Sequence, residues 1–141
     1  MKKIRKAILI AVLLLPIAHW FLFIGFCPRT NMALLGYELS PDGTVMTIRA
    51  DHPDSAGYTR AARNVSQSPA VVKLKFYCTF GGPNSSLGAK DEFVIELPPE
   101  CTEIDFYRGY QEPELGFHPV LCKNTATGAW ERVGCERLVQ G

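Results

Sequence analysis

Lys2, Lys3, Arg5 and Lys6 open the chain, and an apolar run from Ala7 to Phe26 follows, interrupted only by Pro16 and His19. No other segment constrains the chain as strongly. About 20 apolar residues in a row match the hydrocarbon thickness of a bilayer. The run predicts a transmembrane helix over residues 7–26, after a basic cytoplasmic start over 1–6. Residues 27–33 then read as a linker and 34–141 as an extracytoplasmic domain. Four cations precede the run and only Arg29 closely follows it. Basic flanks stay on the cytoplasmic side, so the N-terminus is expected inside and the domain outside.

The end of the run bears on whether it is kept. A cleavable signal has an apolar region of about 7–15 residues followed by small residues. Here the run closes on Trp20-Phe21-Leu22-Phe23-Ile24-Gly25-Phe26, whose bulky rings suit no signal peptidase subsite. A retained single-pass cell-membrane anchor is the expectation; cleavage would make the domain secreted. Ile24-Gly25-Phe26-Cys27 is similar to a bacterial lipoprotein box, but Phe26 stands where that box takes Gly or Ala. Cys27 otherwise reads as a boundary thiol open to palmitoylation. Pro16 is compatible with a membrane helix, and His19 beside Trp20 suits the outer interface.

Beyond the run the charge balance changes sign. The whole chain carries +1; less the 4 cations of its start, the remainder stands at −3. An acidic domain without a basic cluster is a poor nucleic-acid binder. The remainder has no internal repeat and a length suited to one domain.

Helical periodicity is missing there. Short alternating runs separated by turn signals predict antiparallel β structure. Leu35, Tyr37 and Leu39, then Pro41-Asp42-Gly43, then Met46 and Ile48 form a hairpin signature, in which Pro presets φ and Gly supplies φ > 0. His52–Pro69 reads as a long crossing loop with a short strand near Tyr58–Ala62. Val72, Leu74, Phe76, Cys78 and Phe80 share one face of a strand, against Lys73, Lys75, Tyr77 and Thr79 on the other. Phe93–Leu97, Ile104–Tyr107, Val120–Cys122 and Trp130–Leu138 complete about seven strands, with loops at Gly81–Lys90 and Gly109–His118. That spacing predicts an all-β, immunoglobulin-like antiparallel β-sandwich.

Cys27, Cys78, Cys101, Cys122 and Cys135 contain no Cys-x-x-Cys pair. Four cysteines in a small extracytoplasmic domain point to two disulfides. If every loop reverses the chain, Cys101 and Cys122 lie at one end and Cys78 and Cys135 at the other. The expected bridges are Cys101–Cys122 and Cys78–Cys135, with Cys27 left over.

Catalytic and ligand motifs are weak. The spacing of Gly82, Gly88 and Lys90 misses that of a phosphate loop, and strand–loop–strand context is wrong for one. Asp51-His52 has no Gly-x-Ser-x-Gly elbow to partner it, and no His/Cys/Asp spacing suits a metal. No cofactor is implied. Asn64-Val65-Ser66 and Asn84-Ser85-Ser86 are formal glycosylation sequons. Tyr107, Arg108 and Tyr110 are residue types that favour recognition, although a cross-strand aromatic cluster with Arg108 stacked on a ring accounts for them somewhat better. Loops on a rigid scaffold commonly carry sites, so the candidate ligand-binding residues are Asn84, Lys90, Tyr107, Arg108, Tyr110 and His118.

The string Phe76-Tyr77-Cys78-Thr79-Phe80-Gly81-Gly82-Pro83-Asn84-Ser85-Ser86-Leu87-Gly88-Ala89-Lys90, with Phe93-Val94-Ile95-Glu96-Leu97 and Phe106-Tyr107-Arg108-Gly109, resembles small membrane-anchored or secreted proteins of Gram-positive bacteria. Those carry FYSTFGG-x-NSS-x-GAK and YFYRG-like strings, with Ser where this chain has Cys78. The resemblance implies location and fold, and no activity or site residue. Two function classes remain. One is a membrane-anchored, non-enzymatic binding or interaction module of the cell envelope, with an envelope or membrane protein as partner. The other is an extracytoplasmic hydrolase or small-ligand sensor that uses the loops at one end of the sandwich.

Overall fold

The computed structural model describes the chain except residues 21–24, 26, 53–58, 79–88, 110–115 and 134–141. Among these described residues one helix, α1 (Lys2–His19), precedes nine strands. These are β1 (Cys27–Arg29), β2 (Ala33–Leu39), β3 (Val45–Asp51), β4 (Thr59–Asn64), β5 (Val71–Cys78), β6 (Glu92–Glu96), β7 (Glu103–Tyr107), β8 (Phe117–Lys123) and β9 (Trp130–Arg132). They form a six-stranded and a three-stranded sheet, the smaller in the order β2-β3-β6. In the larger, β4 pairs with β5 across the same residues that pair with β1, so β1 and β7 lie end to end along the other side of β5. Strands β8 and β9 follow beyond β7.

Alternation is what makes these segments strands. Along β5 every second residue is buried, and Val72, Leu74, Phe76 and Cys78 form the inner row. Met46, Ile48 and Ala50 from β3, Phe93 and Ile95 from β6, Ile104 and Phe106 from β7, and Leu121 from β8 join them in one core between the sheets. Phe76 sits edge-on to Phe93 of the opposite sheet at 5.3 Å and to Phe106 of its own at 4.8 Å, a geometry that aligns ring edges with ring faces. The Tyr37 hydroxyl ties the sheets together by donating to the Trp130 carbonyl at 2.6 Å.

The β2–β3 hairpin forms as the turn chemistry predicts. Gly43 takes φ +73°, and the Asp42 carboxylate accepts hydrogen bonds from the Ser40 and Thr44 hydroxyls and from the Thr44 amide. Those bonds hold the Asp42 carboxyl below its usual range.

Five expectations need correction. The sheets are not wholly antiparallel: β5 and β7 pair in parallel. The connecting strand β6 joins the other sheet, so two strands running the same way become neighbours. Residues 27–33 are not only a linker, because β1 pairs with β5. His118 is not in a loop but in β8, opposite Phe106.

The fourth concerns α1. Among the described residues no helix is long and apolar enough to cross a membrane. Helix α1 starts at Lys2 and spends its first turns on the four cations. Its apolar part, Ala7 to His19, spans only about 20 Å at 1.5 Å per residue, against about 30 Å of hydrocarbon.

Neither expected disulfide is present. Cys27, Cys78, Cys101 and Cys122 are thiols. Cys101 and Cys122 do lie at the same end of the sheet, since Cys122 is the register partner of Glu103. They face opposite ways. Cys101 is in the core, whereas Cys122 follows core residue Leu121 and so points outward, its thiol 3.7 Å from the Glu103 carboxylate. End-to-end reasoning placed them correctly; strand parity separates them. Cys135, the other expected partner of Cys78, lies outside the described residues.

Candidate functional site

The outer face of the six-stranded sheet carries the most organised set of polar and aromatic side chains. Because inward and outward positions alternate, burial of Val72, Leu74 and Phe76 turns Lys73, Lys75 and Tyr77 of β5 outward. Register adds their neighbours. Arg63 of β4 lies opposite Lys75, Asp105 of β7 lies beside Lys73, and Tyr107 of β7 faces Phe117 of β8.

Three cations stand over three rings on this face. The Arg63 guanidinium is 4.9 Å from the Tyr77 ring centre, Lys75 Nζ is 4.4 Å from that of Tyr107, and Lys73 Nζ is 5.4 Å from that of Phe117. The Tyr107 and Phe117 rings are themselves 5.3 Å apart. A cation within about 6 Å of a ring is drawn to its negative face. The rings therefore hold long, flexible cationic side chains in an ordered array, which lowers the entropy lost when a partner docks on them.

An acidic corner adjoins the array. Asp105 is only 6% exposed. Its pKa is pushed up to about 7, first by burial and then by the Glu103 carboxylate, with Lys73 opposing. Near neutrality the Asp105 carboxyl therefore carries less than its full charge. Among the described residues no group of His, Cys, Asp and Glu is arranged to hold a metal.

Of the six candidate residues four are described, and these do not converge on one site. Tyr107 belongs to the cationic array. Arg108 follows it, its amide bonded to the Gly116 carbonyl at 2.5 Å. His118 turns to the other side, edge-on to Phe106 at 6.5 Å. Burial lowers its pKa, and the charge on Arg108 adds to the effect. Lys90 is exposed, and its amide donates to the Thr59 carbonyl at 2.8 Å. Asn84 and Tyr110 lie outside the described residues.

The alternation of β5 already separated Lys73, Lys75 and Tyr77 from the core in the sequence. Arg63 and Phe117 carried no such signal, because each reaches the array only through strand register. No protein-family model, curated protein or solved structure matches this chain.

Proposed function

We propose that this chain is a membrane-anchored, extracytoplasmic, non-enzymatic binding module of the cell envelope. Its domain is an immunoglobulin-like β-sandwich, and the outer face of its large sheet receives an anionic partner. One observation carries the reading: the three cation-over-ring contacts ordered on a single sheet face. Ring-held guanidinium and ammonium groups supply charge for an acidic partner, while the Tyr77, Tyr107 and Phe117 rings supply contact area. Arg and Tyr are prominent among residues that dominate binding energy.

Helix α1 supports the anchoring part. From Ile8 to Ile17 its large apolar side chains are 55% to 67% exposed. Apolar surface of that extent on every side of a helix calls for lipid or an apolar partner to cover it. The preceding cations suit an anionic lipid surface.

The test is crosslinking of tagged full-length protein in intact native membranes, followed by mass spectrometry. Arg63→Ala/Lys73→Ala/Lys75→Ala serves as the comparison. A stoichiometric envelope partner recovered with wild type and lost with the triple variant supports the reading. Equal recovery by both proteins removes the sheet face from it.

A further inference from the structure

Cys27 and Cys78 are direct register partners across the antiparallel β1–β5 pair. Directly opposed residues project to the same side of a sheet with Cβ atoms about 4.5–5.5 Å apart. Their contact is visible: the Cys78 thiol donates to the Cys27 carbonyl at 3.5 Å, and both residues are thiols.

Register also fixes the kind of site. Pro28, between Cys27 and Arg29, pairs with Tyr77 and has no N–H to donate. Pro28 must therefore occupy a non-hydrogen-bonded position of the ladder, which places Cys27 and Cys78 at a hydrogen-bonded one. Such pairs have Cα atoms about 5.5 Å apart, at the centre of the range that disulfides span.

We propose that Cys27 and Cys78 form a reversible cross-strand disulfide that clamps β1, and with it the base of the N-terminal segment, to the central strand of the large sheet. The backbone there is already tight. A side chain at Gly25, which has φ +72°, would place its Cβ 2.9 Å from the Cys78 carbonyl carbon and oxygen. Strand β1 is only three residues long, so few other contacts hold it and a covalent link changes its attachment.

The chemistry is thiol–disulfide exchange with a small or protein disulfide as oxidant. The Cys27 thiolate, on the more exposed residue, attacks the oxidant's S–S bond. One oxidant sulfur joins Cys27 and the other leaves as a thiolate. The Cys78 thiolate then attacks the Cys27 sulfur, which forms Cys27–Cys78 and expels the second oxidant thiolate. The two thiols lose two protons and two electrons, and the electrons reduce the oxidant disulfide to two thiols. Burial pushes the Cys78 thiol up, while the charges of Arg29 and Arg60 favour its thiolate. Closing the bridge draws the two Cβ atoms about an ångström closer than a hydrogen-bonded pair leaves them, so the bond is of the reducible kind.

The test uses the full-length chain in detergent, equilibrated in glutathione buffers from reducing to oxidising. Thiols are then quenched by alkylation and peptides mapped without reduction. The expected result is one linked peptide joining Cys27 to Cys78. It accumulates as the buffer becomes oxidising and is lost on return to reducing buffer. Cys27→Ser should leave Cys78 open to alkylation or glutathionylation once denatured, with circular dichroism checking the fold. Two results overturn the proposal: Cys27 and Cys78 both remaining alkylatable in the most oxidising buffer, or Cys78 appearing linked to Cys135 instead.

Discussion

Asp105 is where a single residue governs stability most directly. An unfolded carboxyl titrates near its ordinary value of 3.8, and the folded one near 7, so the folded state holds the proton more tightly. Stability from this group is complete below pH 3.8 and is lost as pH rises through about 7, since a raised native pKa disfavours folding once the group ionises. Asp105→Asn removes the titration. It should melt several degrees above wild type at pH 8 and near wild type at pH 4, as measured by thermal scans at the two values. An equal shift at both would sever the link to ionisation. Phe76 gives the other residue-scale test. It is fully buried and touches both Phe93 and Phe106. Phe76→Ala should cost about 3–5 kcal/mol in urea unfolding, as large-to-small aromatic changes do.

Elements matter through their register. On β5 the inner row holds the core and the outer row holds the cationic array, so one strand serves stability and recognition with alternate residues. Those roles should separate on mutation. The triple variant at Arg63, Lys73 and Lys75 should lose partner capture while losing only about 0.5–1 kcal/mol of stability per contact. Urea denaturation and crosslinking on the same preparation check both halves. Gly25 sets the approach of β1 to β5. Gly25→Ala forces its Cβ into the Cys78 backbone and should speed hydrogen exchange at the β1–β5 pairs while leaving the β2–β3 hairpin protected. Uniform exchange changes across both sheets would refute that local effect.

At the scale of the molecule, an exposed apolar helix and a folded β domain must be reconciled. The domain buries its own apolar residues between two sheets, and α1 does not share that core. Full-length protein should therefore float with anionic phospholipid vesicles in a density gradient. Leu9→Lys/Leu13→Lys should sediment with the aqueous fraction, because charge on the apolar surface opposes insertion. Flotation unchanged by those substitutions would point to attachment elsewhere.

The sequence by itself determined the strands β2 to β7 in outline but not β1 or the start of β8, together with the β2–β3 turn and which residues of β5 face inward, because alternation and turn stereochemistry act over a few neighbouring residues. It also placed Cys101 and Cys122 at the same end of the domain. Only the tertiary structure decided that they face opposite ways, that β5 and β7 run in parallel, that Cys27 meets Cys78, and that Arg63 and Phe117 complete an array begun by Lys73 and Lys75. Each of those depends on pairing between segments far apart in the chain. Such pairing is set by how two sheets close over one core, and no local pattern encodes it.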